Sequence, residues 1–318
     1  MEYMEEVKVS RHTGRLAQMW IYLGKLFRMF IFQSDWKVLP MSAIIAGLVS
    51  FAVGRNMFKT MEGTAMGTFA LSCVCIWNGF FNSIQSVCRE RAIVKREHRS
   101  GLHITSYVAA HMIYQAVLCL GQAVIIIIVC NVMGVVFPTK YLTFPVPYLD
   151  FVISLFLTTY AADMLALFIS SVSRTTTGAM TVMPFLLIIQ LVFSGGFFDL
   201  PQNVMPLTNL TISKWGLTVL CSQGDYNSLP MTSVWNNVLK MKDVEIEGEK
   251  PILELMVKIE KDGRKEEVLM KTAAYNQKEE YRFDPAVVNE CWGWLALWIV
   301  VYVLLTVISL EMIDRDKR

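Results

Sequence analysis

Long stretches without a charged residue constrain this chain more than any other feature of its sequence. Six of them occur among the 318 residues, at positions 38–54, 63–88, 100–139, 151–173 (interrupted only by Asp163), 175–198 and 291–310. A helix needs about 20 predominantly apolar residues to cross the hydrocarbon core of a bilayer. We therefore predict an all-α polytopic membrane protein with six transmembrane helices, the third of them within about 107–136. This pattern argues against a soluble helical core.

The basic residues predict the orientation of these spans. Five of them follow the second span, and Arg174 lies between the fourth and fifth spans. Short loops rich in Lys and Arg remain on the cytoplasmic side. We therefore expect both loops and both termini in the cytoplasm of a plasma membrane or bacterial inner membrane. The net charge of +2 argues against a polybasic nucleic-acid-binding protein.

The remaining segments complete a prediction of four regions. Residues 1–36 form a cytoplasmic N-terminus, 37–198 contain five spans and a short cytoplasmic helix near 88–103, 199–290 are extracytoplasmic, and 291–318 form the last span and a tail. Within the first region, one face of a helix is apolar and the other is polar. The apolar face consists of Leu16, Met19, Trp20, Leu23, Leu26, Phe27 and Phe30, and the polar face of Arg15, Gln18, Lys25 and Arg28. This pattern predicts an amphipathic helix that lies in the membrane interface or packs on a protein partner.

The extracytoplasmic segment is predicted to contain a re-entrant part and a small α+β insert. The part up to about position 220 is apolar with scattered prolines, which favours a return toward the membrane. Farther on, apolar and charged residues alternate, and Asp262–Gly263 is a hairpin turn signal. The alternating apolar residues are Val244, Ile246, Leu253, Leu255, Val257 and Ile259. Cys221 and Cys291 lie on the same predicted side, and the sequence leaves open whether they form a disulfide.

The sequence lacks the motifs of an ATPase or a membrane enzyme. It contains no G-x-x-x-x-G-K-[ST] phosphate-binding loop and no clustered catalytic or metal-binding motif. We therefore predict that this chain is not itself an enzyme and binds no cofactor or metal. The one charge inside a span is Asp163, which costs about 2.5–3.5 kcal/mol on insertion scales. Its hydroxyl-bearing neighbours favour a hydrogen-bonded structural residue, and a proton or ion relay is the alternative.

The cytoplasmic segment 90–107 carries the most information about function. Its charged part predicts one short helix up to Arg99, which Gly101 would end. A charged helix between two spans suits docking into a soluble motor, although it also fits a solvated positive loop. The segment resembles the E-R-x-x-x-x-[RH]-E-x-x-x-G-x-x-x-x-S-Y region in the membrane domain of ABC transporters of the G subfamily. Two further motifs of that family follow in order, F-S-G at 193–195 and I-S-[RK]-[YW]-G-x-x-[AV]-L at 212–220.

This resemblance implies the permease subunit of an ABC exporter driven by ATP hydrolysis. The 88–103 helix would be the coupling helix that contacts the ATPase, and ATP and Mg would bind to that partner. The coupling residues would be Glu90, Arg91, Arg96, Glu97 and Gly101. The family usually fuses its ATPase ahead of the membrane domain. Because few residues precede the amphipathic helix and the chain starts with Met, we expect a separately encoded permease with a separate ATPase subunit.

The resemblance also implies a pathway between two permease subunits, in a homodimer or heterodimer. The second and fifth spans would line it. The implied pathway residues are Cys75, Asn78, Phe81, Ile188, Gln190 and Leu191. Gly196 and Phe197 would form an outer valve, in which Gly196 replaces a bulky aliphatic residue. Two other functions remain open: an ion- or proton-coupled carrier or channel using Asp163, and a non-transporting membrane scaffold.

Overall fold

In a computed structural model of the chain, the structure describes residues 14–33, 35–140, 142–146, 148–196, 201, 203–241 and 251–312. Within these ranges the regular secondary structure is helical and contains no strand. The helices are α1 Arg15–Phe32, α2 Val38–Val53, α3 Met61–Ser83, α4 Ser86–Arg99, α5 Ile104–Val132, α6 Leu149–Val172, α7 Thr176–Val192, α8 Met205–Thr208, α9 Ile212–Gln223, α10 Ser233–Lys240, α11 Pro251–Lys261, α12 Lys265–Ala274 and α13 Pro285–Glu311. The prediction of an all-α membrane protein is confirmed, and the predicted α+β insert is not supported.

Five helical stretches are long and apolar enough to cross a membrane. They are Asp35–Asn56, Met61–Arg99, Ile104–Val132, Leu149–Val172 and Pro285–Glu311. The span expected at 175–198 forms α7, which has only 17 residues. At 1.5 Å per residue it reaches about 26 Å, less than the roughly 30 Å of a hydrocarbon core. The helix ends at Val192, and Gly195, three residues farther on, adopts a left-handed conformation with φ 72°. The predicted count of six spans is therefore supported for five.

Helix α6 forms the centre of the bundle, with α3 and α13 packed against it. Helix α3 approaches α6 closely at Gly79, where a Cβ atom would lie 2.4 Å from the Thr159 carbonyl oxygen and 2.7 Å from the Asp163 nitrogen. On the α6 side, Ala161, Ala162 and Ala166 are fully buried. Small residues let helix backbones approach closely in membranes, where packing rather than the hydrophobic effect drives association.

Helix α1 lies along α5 at one end of the bundle. Leu23 and Leu26 are buried against Ala110 of α5. The Tyr22 ring meets the edge of Tyr107 at a centroid distance of 5.4 Å. Other apolar side chains of α1 are exposed: Leu16, Trp20, Ile21, Ile31 and Phe32. A helix forms at the predicted position, and its apolar side is divided between contact with the bundle and open surface.

The predicted β-hairpin is wrong for the residues that the structure describes. Val257 and Ile259 lie within α11, and Asp262–Gly263 joins α11 to α12. Gly263 has φ 65°, and the Arg264 N–H donates to the Ile259 carbonyl at 3.0 Å, so this Gly ends a helix. Leu, Met, Glu and Lys favour helix over strand, and Met256 and Ile259 face Trp235 from one side of α11. Val244 and Ile246 lie outside the described residues.

Candidate functional site

Helix α4 is the predicted coupling helix, and its two ends are fixed by identifiable contacts. It ends at Arg99, and Gly101 follows with φ 103° while the Leu102 N–H donates to the Glu97 carbonyl at 2.9 Å. At its start, the Ser170 hydroxyl of α6 accepts from the N–H groups of Val87 at 3.0 Å and Cys88 at 3.1 Å. The first N–H groups of a helix lack partners within the helix, so Ser170 provides a cap from a neighbouring helix.

Arg91 makes the reciprocal contact from α4 to α6. Its guanidinium donates to the carbonyl oxygens of Ser171 and, at 3.4 Å, of Ser173. These carbonyls lie at the C-terminus of α6, where the backbone has unpaired acceptors and a partial negative charge. The Arg91 guanidinium supplies hydrogen-bond donors to these acceptors and a positive charge beside the partial negative charge. The start of α4 and the end of α6 are thus joined by two sets of hydrogen bonds that run in opposite directions.

Glu90 connects α4 to the amphipathic helix α1. Lys25 Nζ lies 2.9 Å from Glu90 Oε2. One face of α1 also holds the loop after α4, because the Gln18 amide donates to the Gly101 carbonyl at 3.1 Å and accepts from the His103 N–H at 3.0 Å. The polar face of α1 therefore contacts both α4 and the turn that ends it.

The five predicted coupling residues have different surroundings. Glu90, Arg91 and Gly101 bind to other parts of the chain, as described above. Arg96 is exposed, and Glu97 is half-buried, with Oε2 lacking a hydrogen-bond partner in the described part of the chain. Arg96 is therefore the member of this set that the chain presents outward.

The predicted pathway residues divide into two groups. Cys75, Asn78 and Gln190 are buried, and their partners belong to the same chain: the Asn78 amide donates to the Ser42 hydroxyl at 2.8 Å, and Gln190 Oε1 accepts from the Ser213 N–H at 3.1 Å. The other three, Phe81, Ile188 and Leu191, are exposed on α3 and α7. Only this second group lies on a surface that another molecule can reach.

Gly196 of the predicted valve packs closely on α9. A Cβ atom at this position would lie 2.3 Å from the Cδ2 atom of Leu217. This contact gives a physical reason for Gly where the resemblance suggests a bulky aliphatic residue. Phe197, the other predicted valve residue, lies outside the described residues.

Asp163 is fully buried in a cluster of polar side chains from three helices. Its Oδ2 accepts from the Asn82 amide at 3.3 Å and from the Cys119 thiol at 3.2 Å. Asn82 and Gln122 also exchange two hydrogen bonds, of 2.9 and 3.0 Å. These contacts agree with the hydrogen-bonded structural alternative. The partners come from α3 and α5, whereas the neighbouring Thr159 hydroxyl donates to the backbone of α6.

Two further expectations concern cysteines and metals. Cys221 and Cys291 are both free, buried thiols, and Cys221 Sγ lies 3.1 Å from the Thr68 hydroxyl. The possible disulfide between them is therefore not formed. Across the ranges that the structure describes, no group of three or more His, Cys, Asp or Glu side chains is placed to hold a metal ion.

Sequence reasoning missed several residues that organise this site. Lys25 and Gln18 were assigned to a polar face without partners, and Ser170, Asn82 and Gln122 were not singled out. Ser170, Asn82 and Gln122 share one signal, an uncharged polar residue within an apolar span, which in lipid requires a hydrogen-bond partner. That signal identifies the residues but not the helices that they contact.

The bundle, its membrane-length helices and its charged helix α4 define a polytopic helical membrane protein. Comparison with known proteins specifies the family. The model of the family described as "ABC-2 type transporter" matches residues 17–212, more than half of the chain. The chain belongs to this family, whose membrane domain is the transmembrane component rather than the ATPase.

One curated relative agrees with this assignment. The ABC transporter ATP-binding/permease protein Rv1747 of Mycobacterium tuberculosis is 26% identical over 207 residues, which cover 62% of this chain and 24% of that protein. The match thus spans about a quarter of the length of the relative. Its printed name combines an ATP-binding and a permease function.

Proposed function

We propose that this chain is the permease subunit of an ABC exporter of the G-subfamily type, driven by ATP hydrolysis on a separate ATPase subunit that binds ATP and Mg. Membership of the ABC-2 family supports the permease role. The single observation that carries the coupling role is the attachment of α4 to α6 through Arg91 and the Ser170 hydroxyl. A displacement of α4 by a partner is passed directly to the central helix of the bundle.

In this proposal α4 docks on the ATPase from the cytoplasmic side. Arg96 is exposed and would meet the partner, and half-buried Glu97 lies beside it at the edge of that contact. Glu90 and Arg91 then pass the displacement to α1 and α6. Both termini are cytoplasmic, and α7 completes a sixth, shorter crossing.

A second permease subunit is proposed to cover the exposed surface of α3 and α7. Helix α7 buries only Ala179, Met183 and Gln190, so most of its surface has no partner in the part of the chain that the structure describes. The exposed apolar side chains on these two helices include Trp77, Phe81, Phe185, Ile188 and Leu191. The aromatic and aliphatic character of this surface suits a hydrophobic or amphipathic substrate moving between two copies.

Affinity purification of the full-length protein from native membranes tests the composition. An ATPase chain and a second permease copy are expected to co-purify. Preparations that contain neither would contradict the proposal.

Cross-linking tests the coupling without knowledge of the substrate. Ile188→Cys places a thiol on the exposed surface of α7, and its cross-linking between copies is expected to change when ATP is added. Arg91→Ala or Glu97→Ala should abolish that change while the ATPase remains bound. Arg55→Ala, which removes a positive charge from the loop between α2 and α3, is the matched control and should leave it intact. A normal response in the Arg91 and Glu97 variants would refute the assigned role.

A further inference from the structure

A cavity of about 240 Å³ opens at the α4 end of the bundle, bounded by α1, α3, α4 and α5 and by one residue each of α2 and α7. Its lining changes in character along its length. The charged lining residues are Asp35, Arg89 and Glu90. The polar ones are His111 and Gln115, which are almost completely buried, and Asn82, which is half-buried. The cavity adjoins the exposed α3 and α7 surface proposed for the subunit contact, because Phe81 of α3 and Met180 of α7 also line it.

The inner wall of this cavity carries polar atoms that lack protein partners. His111 is 3% exposed, and neither of its ring nitrogens has a hydrogen-bond partner among the described residues. The Oε1 atom of Gln115, one helical turn farther along α5, is also without a partner there. Buried polar groups are almost always hydrogen-bonded, to protein or to ordered water. A cavity of this size with several polar atoms meets the requirements for holding water.

Two side chains connect this wall to Asp163. Asn82 lines the cavity and donates to Asp163 Oδ2 at 3.3 Å. Gln115 donates to the Ser83 hydroxyl at 2.7 Å, and the Ser83 side chain lies near the Asp163 carboxyl group. The cavity floor is therefore one side chain away from the carboxyl group. The second carboxyl oxygen, Oδ1, has no partner among the described residues.

From this arrangement we propose that the cavity holds water and is the route by which Asp163 exchanges its proton with the aqueous phase at the α4 end. A carboxyl group buried within the membrane can change its charge only if a proton can travel between it and water. In the exchange, the proton leaves a carboxyl oxygen for a water molecule, and the reverse step restores it. The proton exchange requires neither a particular direction of transport nor a bound ATPase.

The groups around Asp163 leave few other proton carriers. Tyr114 and the Cys119 thiol face it from α5, and Tyr160 lies on α6 itself. The charged residues of the other helices packed on α6 lie at or near helix ends or within α4. They are Glu62 on α3, Lys214 on α9, Glu290 and Glu311 on α13, and the charged residues of α4. The cavity thus provides the polar connection to Asp163 that begins at an aqueous surface.

Cysteine accessibility tests whether water reaches the cavity wall. His111→Cys and Gln115→Cys are made in the full-length protein, reconstituted in nanodiscs, and treated with 2-aminoethyl methanethiosulfonate. Both should react about tenfold faster than Ala123→Cys, which is fully buried on the same helix away from the cavity, because thiolates form where water reaches the thiol. Wild type measures the background from native cysteines. Equal, slow reaction of all three variants would overturn the proposal.

Infrared spectroscopy tests the proton exchange itself. The carbonyl band of protonated Asp163 is identified by its loss in Asp163→Asn, and it should titrate with bulk pH and shift promptly in D₂O. Val38→Phe narrows the cavity from α2 and should slow the shift about tenfold, since the remaining space no longer holds a continuous water chain. Ile44→Phe changes a residue on the exposed side of α2 and should leave the rate of the shift unchanged. A band that is absent, fails to titrate, or exchanges at the same rate in both variants would refute the route.

Discussion

Lys25 and Glu90 join the amphipathic helix to α4 through an ion pair, with Nζ and Oε2 2.9 Å apart although 65 residues separate them in the chain. The Glu90 side chain is only 11% exposed, and that of Lys25 is 37% exposed. A partly buried carboxylate depends on its partner more than an exposed one does, because removal of the cation leaves a charge with little solvation. The pair is therefore a structural connection between α1 and α4.

A double-mutant cycle should measure this connection. Lys25→Met and Glu90→Gln should each lower the free energy of unfolding by about 1 kcal/mol, and the double variant should lose less than their sum. Thermal unfolding of the purified protein provides the measurement. Arg28→Met, an exposed position on the same helix, is the control and should change little. Strictly additive losses would mean that the two residues do not interact.

The close approach of α3 and α6 predicts a strong effect at Gly79. Gly79→Ala places a Cβ atom 2.4 Å from a backbone oxygen, which cannot move aside as a side chain can. We expect a loss of about 1–3 kcal/mol in stability, measured by thermal unfolding in detergent. Gly121→Ala is the matched control, because its Cβ would meet only Leu39 Cδ2 at 3.9 Å. Similar unfolding temperatures for both variants would contradict this packing.

Removal of the Ser170 hydroxyl should loosen the first turn of α4. Ser170→Ala leaves the Val87 and Cys88 N–H groups without their acceptor and should cost about 0.5–2 kcal/mol, the usual cost of losing a helix cap. Hydrogen exchange should become faster at these two amides. Ser173→Ala should leave both amides protected, since Ser173 contacts α4 through its backbone carbonyl. Unchanged exchange in Ser170→Ala would exclude the cap.

Glu267 on the outer helix α12 should remain ionised to unusually low pH. Its hydrogen bonds with Arg264 and Lys271 lower the pKa of the carboxyl group to about 2. A lowered folded-state pKa means that this contribution to stability is present above the ordinary Glu pKa of about 4.3, and is lost as the pH falls toward 2. NMR titration of the labelled carboxyl carbon measures it. Arg264→Gln should raise the pKa, and an unchanged titration would exclude the pairing.

The elements governed by local pattern were predictable from the sequence. Five of the six apolar stretches became membrane-length helices, the amphipathic pattern before residue 32 became α1, and Gly101 followed the end of α4. Each depends on residues within a few turns of one another. The β-hairpin prediction was wrong because apolar and charged residues alternate over too few positions between Leu253 and Ile259 to distinguish a period of two from a helical period.

The contacts between distant segments were not predictable. Nothing local to Lys25 identifies Glu90 as its partner, and nothing local to Asp163 indicates Asn82 or Cys119. Burial could not be predicted either. Asn78 and Phe81 both lie on α3, yet Asn78 is buried within the chain and Phe81 is exposed. Such differences depend on which helices pack together, and this follows from the assembled bundle.

Helix α1 is held by Gln18 and by Lys25, seven residues apart and therefore about 10 Å along the helix axis. A helix attached at one point can rotate about that contact. A helix attached at two points on one side must tilt or shift together with the segment that it contacts. The surface of α1 away from α5 carries exposed Trp20 and Ile21. Any tilt of α4 would therefore move these exposed side chains as well, so that whatever covers this surface of α1 would resist the movement.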